Sequence, residues 1–237
     1  MLLKSLQKYT LVGMAVAVFG VAQAASGSEQ DPWEGFNRKV FAFNDTIDRY
    51  LVKPLAKGYK AITPDPLETG ITNFFDNLLE VRNIVNDLLQ GKLGQAGNDG
   101  GRLLINSTVG IAGFFDVAKH WGLPENSGED FGQTLAGWGT GQGPYMMLPL
   151  LGPSTLRDTF GMPFDGFLSP VQYVDDVPTR NTIHGVSLLD KRASLLDAES
   201  LANGDRYVFL REAYLQRRNY LINDGQVADD FESEEDF

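Results

Sequence analysis

No cysteine occurs among the 237 residues, so neither a disulfide framework, nor a thiolate metal site, nor an acylated thiol is available, and stability must come from packing. Histidine is almost as scarce. His120 and His184 are the only two, and neither stands at metal-ligand spacing with other donors, so no metal site and no cofactor is expected. Beyond the N-terminal segment, no apolar run reaches the roughly 20 residues a spanning helix requires. Strand alternation with hairpin turns is missing, as is any fixed repeat. After Asn223 there is no base. Asp229, Asp230, Glu232, Glu234, Glu235 and Asp236 make an acidic tail (226–237) expected to be disordered. The formal net charge is −11, which repels nucleic acid and anionic headgroups alike. A nucleic-acid role is excluded, and any membrane contact must come from apolar burial.

What is present begins with an export signal. Lys4 and Lys8 precede the apolar stretch Tyr9 to Val21, and Ala22-Gln23-Ala24 supplies a small-residue cleavage site, so residues 1–24 read as a cleaved signal peptide. Residues 25–225 then form a single, mainly α domain. Phe36, Val40, Phe43 and Ile47 recur at helical spacing, with Phe41 widening the stripe, after a helix start at Ser28 to Asp31 and Pro32. Lys53-Pro54 interrupts that helix. Pro64-Asp65-Pro66 ends the next. Leu67, Ile71, Phe74, Phe75 and Leu78, then Val81, Ile84, Val85, Leu88 and Leu89, mark one or two helices ending at Gly91. The run Val109 to Phe115 is apolar on every side, and reads as a buried element or a segment dipping into an interface. Between Trp121 and Pro153, glycine and proline are dense enough to leave room only for a short helix at Phe131 to Trp138. Pro153 to Asp158 reads as a helix start, Gly161 to Pro178 as loop, and Arg192 to Leu221 as helix broken near Asn203-Gly204.

Catalytic readings fail on context. Gly139-Thr140-Gly141-Gln142-Gly143 has neither the spacing nor the preceding strand of a phosphate loop, and Pro144 removes an amide where a helix should open. No G-x-S-x-G elbow exists, and Ser154 sits as a helix cap, so a lipase is the weakest reading. Glu129-Asp130 reads as a solvated pair, and Arg157-Asp158 as an ion pair or cap of little worth if exposed. The chain is not read as an enzyme.

Several separated motifs carry a resemblance. They are Asp31-Pro32-Trp33-Glu34-Gly35-Phe36-Asn37-Arg38, Phe43-Asn44, Phe131-Gly132-Gln133-Thr134-Leu135, Gly143-Pro144-Tyr145 with Leu148-Pro149, Leu156-Arg157-Asp158 and Arg211-Glu212-Ala213-Tyr214. In this order, from about Asp31 to about Gly225, they resemble the MlaA (VacJ) family of outer-membrane proteins, which maintain lipid asymmetry. The resemblance implies a curved or ring-shaped helical domain in the inner leaflet of the outer membrane, with a polar channel through which phospholipids leave the outer leaflet. It also implies a trimeric porin and a periplasmic phospholipid carrier as partners. Family members are commonly lipoproteins, and this chain departs from them in having no cysteine to acylate.

A headgroup crossing hydrocarbon needs a polar path, because unpaired charge buried there is costly. On that basis Phe36, Val40, Phe41, Phe43 and Ile47 are expected to face the membrane. Asn44 with Gly137, Gly139, Gly141 and Gly143 are expected at the channel or its gate, where backbone away from helix is tolerated. Trp33, Trp138 and Tyr145 are expected at headgroup level. The competing reading is a soluble periplasmic scaffold whose aromatic helical face binds a protein partner.

Overall fold

The computed structural model describes residues 30–125, 128–197, 199 and 204–226. The signal peptide and all but the first residue of the acidic tail lie outside them. Helix α1 (Glu34–Ile47) runs without a break through a π-helical turn, Asp48–Val52, into α2 (Lys53–Ile62). Pro54 therefore does not stop the helix as expected. It falls in the first turn of α2, and the wider π turn before it absorbs the missing amide. Asp31 does not start α1; Trp33 caps it and the Asp31 carboxylate turns inward.

After Pro64 the long helix α3 spans Asp65–Gln90, one helix rather than two, ending on left-handed Gly91. Helix α4 (Leu93–Thr108) packs back along it, followed by the short α5 (Val117–His120) and α6 (Phe131–Gly137). A hairpin, β1 (Tyr145–Leu148) paired antiparallel with β2 (Gly152–Thr155), leads into α7 (Leu156–Leu168). A 3₁₀ turn, Pro170–Tyr173, precedes α8 (Val177–Ser194), and Gly204 separates this from α9 (Arg206–Ile222).

Two local expectations are corrected. The hairpin has four-residue strands whose residue types do not alternate, and side chains from elsewhere hold it: Asn37 Nδ2 donates to the Tyr145 carbonyl (3.1 Å) and Met147 N–H donates to Asn37 Oδ1 (2.9 Å). Gly161 to Leu168 is helix, not loop. Pro163 lies inside α7, compensated by the close α6–α7 crossing and by Phe164 against Phe131, ring centroids 4.0 Å apart. The α7 cap is Thr155, whose hydroxyl accepts from Asp158 N–H, while Ser154 and Pro153 belong to β2.

The succession of packed neighbours closes on itself: α1 on β1, β1 on β2, β2 on α9, α9 on α6, α6 on α3, α3 on α8, α8 on α2, and α2 through the π turn to α1. This is the curved, closed helical domain the sequence implied. Its apolar core is small, centred on Val40, Tyr145, Met147, Tyr207 and Leu215. Elsewhere the usual distribution is reversed. Among the described residues, fully buried polar and charged side chains outnumber fully buried apolar ones, while many large apolar side chains are exposed. On α3, Asn77, Glu80, Asn83, Asn86 and Asp87 are buried, and Leu67, Leu88 and Leu89 are exposed.

The α6–α7 crossing yields a test. A Cβ on Gly161 would lie 2.8 Å from the Gly132 backbone nitrogen, whereas one on Gly166 in the same helix meets nothing within 4 Å. Gly161→Ala is expected to cost about 1–3 kcal/mol, and Gly166→Ala to be neutral or to add about 0.5–1 kcal/mol. Thermal melting of both variants in detergent checks this; equal melting points would refute the crossing.

Candidate functional site

The inward face of α3 faces the inward face of α4, where Asp99, Arg102 and Asn106 are buried. Such a seam survives only if its polar groups find partners. Arg102 Nε donates to Glu80 Oε1 (3.0 Å) and its Nη2 to Asp116 Oδ2 (3.1 Å), and Asn106 Nδ2 donates to Asp116 Oδ1 (2.9 Å). Further along, Glu129 N–H donates to Asn83 Oδ1 (3.0 Å) and Thr134 Oγ1 to Asn86 Oδ1 (2.7 Å). Glu129, read from sequence as solvated, is buried and accepts from Gln90 and Lys92.

Two cavities open on this polar interior. One of about 600 Å³ is bounded by Thr69 and Asn73 of α3 with Asp116, Lys119, His120 and Glu125. Another, of about 270 Å³, is bounded by Arg82, Asp130, Asp158, Asp165, Tyr214 and Arg218. Asp76 of α3 and Lys191 of α8 line neither of these. Both are open to water, yet desolvation pushes the Asp76 carboxyl up and the Lys191 ammonium down. Asp165 is likewise pushed up to about 6, first by burial. Among the described residues no three His, Asp or Glu side chains form a metal cluster.

Two carboxylates close the ring. Asp31 is fully buried and accepts from Asn37 Nδ2 (2.8 Å), Tyr207 Oη (2.5 Å) and Arg211 Nη1 (3.1 Å), joining the segment before α1 to α9. Asp158 accepts from Arg218 Nη2 (2.8 Å), Tyr214 Oη (2.7 Å) and Arg157 Nε (3.2 Å), and Arg218 Nη1 also reaches Asp130 Oδ2 (2.5 Å), joining α6, α7 and α9. Arg157-Asp158 is thus a buried part of a network, not a surface pair.

The residues expected at the site divide. Phe36 and Phe43 face outward, and Ile47 is half-buried. Val40 is buried in the core, which corrects its membrane-facing assignment, and Phe41 turns partly inward to meet Tyr207 edge-on at 5.7 Å. Asn44 anchors the hairpin, its Nδ2 donating to the Leu148 carbonyl (2.9 Å) and its Oδ1 accepting from Leu150 N–H (2.8 Å). Gly137, Gly139, Gly141 and Gly143 make the exposed connection from α6 to β1 and line neither cavity described above. Gly139 and Gly143 have positive φ, which supplies the expected bends. Trp138 is exposed, with Nε1–H donating to the Leu89 carbonyl (3.1 Å), and Trp33 is half-buried. Tyr145 is buried completely, a correction: the strand turns its ring inward between Tyr207 and Tyr214.

Asp76, Arg82, Asp165 and Lys191 were missed by sequence reasoning. The available signal was charge beside an apolar stripe of helical period, as at Glu80 and Arg82 within Leu78 to Leu89.

Fold and interior together define a helical protein turned inside out, polar at its centre and apolar at its perimeter. The chain belongs to the MlaA lipoprotein family, whose pattern matches residues 29–221. It is 37% identical over 218 residues to the intermembrane phospholipid transport system lipoprotein MlaA of Escherichia coli (strain K12), covering 87% of this chain and 86% of that one. It is 34% identical over 210 residues to the protein of the same name in Haemophilus influenzae, covering 86% and 83%. A solved structure from work on the structural basis for maintenance of bacterial outer membrane lipid asymmetry superposes with a TM-score of 0.73 at 35% identity, over 81% of this chain and 99% of that one.

The α3–α4 seam makes a pH prediction. Asp87 is fully buried, and desolvation, then Asp99 and Glu129, push its carboxyl up to about 8. A folded-state pKa above the unfolded value near 4 gives a contribution that is complete below about pH 4 and lost as pH rises through about 8. Between pH 5 and 8 the protein should lose on the order of 3 kcal/mol from this group, and Asp87→Asn should remove that slope. Melting curves at both pH values check it; equal slopes for the two proteins would refute the assignment.

Proposed function

We propose that this protein is a passive phospholipid conduit of the bacterial outer membrane, which takes mislocalised phospholipid from the outer leaflet and delivers it to a periplasmic carrier, preserving lipid asymmetry. The observation that carries this reading is the reversed distribution of side chains. A phospholipid moving between leaflets keeps its acyl tails in hydrocarbon and needs water or polar groups only for its headgroup. The exposed Phe36, Phe43, Leu88, Leu104, Ile111 and Phe160 suit the oily perimeter, and the cavities lined by Thr69, Asn73 and Lys119 and by Arg82, Asp130 and Arg218 suit the headgroup path. Among the described residues no helix is long and apolar enough to cross a membrane, which agrees with a seat in one leaflet.

The names of the relatives agree with this assignment. A porin trimer beside the ring and a soluble carrier below it complete the proposal, and no covalent step is required. Those relatives are named lipoproteins, and this chain lacks a cysteine, so its hold on the bilayer comes from the apolar perimeter. Extraction should then require detergent. Release from membranes by carbonate would favour the scaffold reading instead.

Thr69 lines the larger cavity and is exposed there. Thr69→Trp is expected to obstruct the path without disturbing the polar seam, raising outer-leaflet phospholipid severalfold in cells that depend on this protein. Wild-type asymmetry in a stably expressed variant would overturn the conduit.

A further inference from the structure

The larger cavity does not end at Asn73, Asp116 and Glu125. The same three residues border a narrow recess of about 10 Å³, lined further by Asp76, Asn77, Glu80 and Arg102. That is about the room one water-sized group needs. Asn73, Asp76, Asn77 and Glu80 follow at steps of three, one and three along α3, so a single face of that helix supplies one wall.

Most polar groups of the recess are already engaged. Arg102 holds Glu80 and Asp116, and its Nη1 donates to the Leu123 carbonyl (3.1 Å). Asn106 donates to Asp116 and accepts from Ala118 N–H, and Asn73 Nδ2 donates to the Phe114 carbonyl. Two acceptors are left over. The Asp76 carboxylate makes no hydrogen bond or ion pair among the described residues. Asn77 is only 5% exposed; its Nδ2 donates to Ser107 Oγ (2.9 Å), while its Oδ1 is buried without a donor.

Charge decides what can fill the recess. Across the joined space, the carboxylates of Asp76, Glu80, Asp116 and Glu125 face the cations of Arg102 and Lys119, and the acids stay in excess even with His120 charged. Lys119 is drawn to Glu125 (3.5 Å), which leaves Asp76 the acid short of a counter-charge. Desolvation and then Glu125 push its carboxyl up, outweighing the pull of Lys191 and Arg102. A buried acceptor without a donor and a carboxylate without a cation are both costly.

A cation that carries N–H bonds answers both deficits at once. A primary ammonium is close to water in size and offers three donors. A trimethylammonium is bulkier and offers none, and an anionic headgroup adds to the excess of negative charge. We propose that Asp76 and Asn77 form an ammonium site at the end of the larger cavity, which receives the primary amine of an ethanolamine headgroup and favours such phospholipids over those bearing choline or glycerol. The lipid origin of the amine rests on the conduit reading above; the demand for a cationic donor does not.

Calorimetric titration of the purified chain in an uncharged detergent, with detergent-only blanks subtracted, tests this with dihexanoyl phosphatidylethanolamine, its phosphatidylcholine and phosphatidylglycerol counterparts, and free ethanolamine. The ethanolamine lipid is expected to bind about tenfold more tightly than the other two lipids, the worth of one charge-assisted contact, with free ethanolamine competing against it. Asp76→Asn should erase that preference, and Asn77→Leu should weaken it in the same direction. Asp175→Asn, an exposed acid that lines none of these cavities, should leave it intact. Asp76 holds no structural contact, so its variant reports on binding even if Asn77→Leu fails to fold. Equal affinity for the choline or glycerol lipid in the wild-type chain, or a preference that survives Asp76→Asn, would overturn the site; binding of free ethanolamine without the lipid would overturn its lipid source. Intact lipid asymmetry in Thr69→Trp, with the titrations as expected, would remove the conduit and leave the ammonium site standing.

Discussion

Asp31 and Asp158 are the constraint on which the closed shape depends. A domain with few buried apolar side chains cannot be shut by hydrophobic collapse alone, because that force has no direction and here has little area at the centre. A carboxylate that accepts from three donors fixes the angle as well as the distance of what it joins. Asp31 ties the chain ahead of α1 to α9 through Tyr207 and Arg211, and Asp158 ties α7 to the same helix through Tyr214 and Arg218. Helix α9 is therefore the clasp. Removing Asp158 would strip the buried Arg157 of its ion pair, a larger loss than the bond itself, whereas Arg218 would keep Asp130 and, without Asp31, Arg211 would keep Glu212.

The same economy governs the interior. Asn77, Glu80, Asn83 and Asn86 follow one another down α3 at three-residue steps, so each neighbours the next and the polar stripe winds gradually around the helix, and α4 answers it with Asp99, Arg102 and Asn106. Polar groups partnered with one another leave a wall that water and a headgroup can wet without unfolding it. Partners are incomplete at Arg82, whose Nε–H is buried without one.

Helical period was legible from sequence nearly everywhere, since Leu67 to Leu89 and Phe36 to Ile47 repeat as helices do. Which side of each helix faces inward was not. Period gives a stripe without saying whether oil or water lies beyond it, and on α3 Leu67, Leu88 and Leu89 are exposed while Phe75 is buried. The hairpin was invisible for a different reason. Its order comes from Asn37 and Asn44, about a hundred residues away, and four-residue strands carry no alternation of their own. The family motifs located the right residues and suggested the wrong tasks for some. Asn37, Asn44 and Tyr145 hold the ring together, and the charged groups that line the lumen lie in stretches with no motif. The caps of α6 and α7 were missed, Asp130 being read as solvated and Ser154 as the cap, although Asp-x-x-Gln and Thr-x-x-Asp stand at the two helix starts.

The run from Val109 to Phe115 shows how far the perimeter is shaped toward hydrocarbon. It is neither core nor helix; Gly113 N–H returns to the Asn106 carbonyl (2.7 Å), and Ile111 and Ala112 take φ of 54° and 56°. A left-handed β-branched residue costs on the order of 1 kcal/mol or more, so something must compensate for it. In water nothing would, because the turn leaves Val109, Ile111 and Phe115 exposed. At the membrane seat proposed above each of those side chains would be transferred out of water, at roughly 25 cal/mol for each Å² covered, which would offset the strain. The backbone inside the turn is satisfied by its own hydrogen bonds and by Asn73, whose Nδ2 donates to the Phe114 carbonyl (3.2 Å), so it meets the demand that hydrocarbon makes on irregular chain. Among the described residues Leu150 and Asp224 also take positive φ, but only here do two such residues stand side by side.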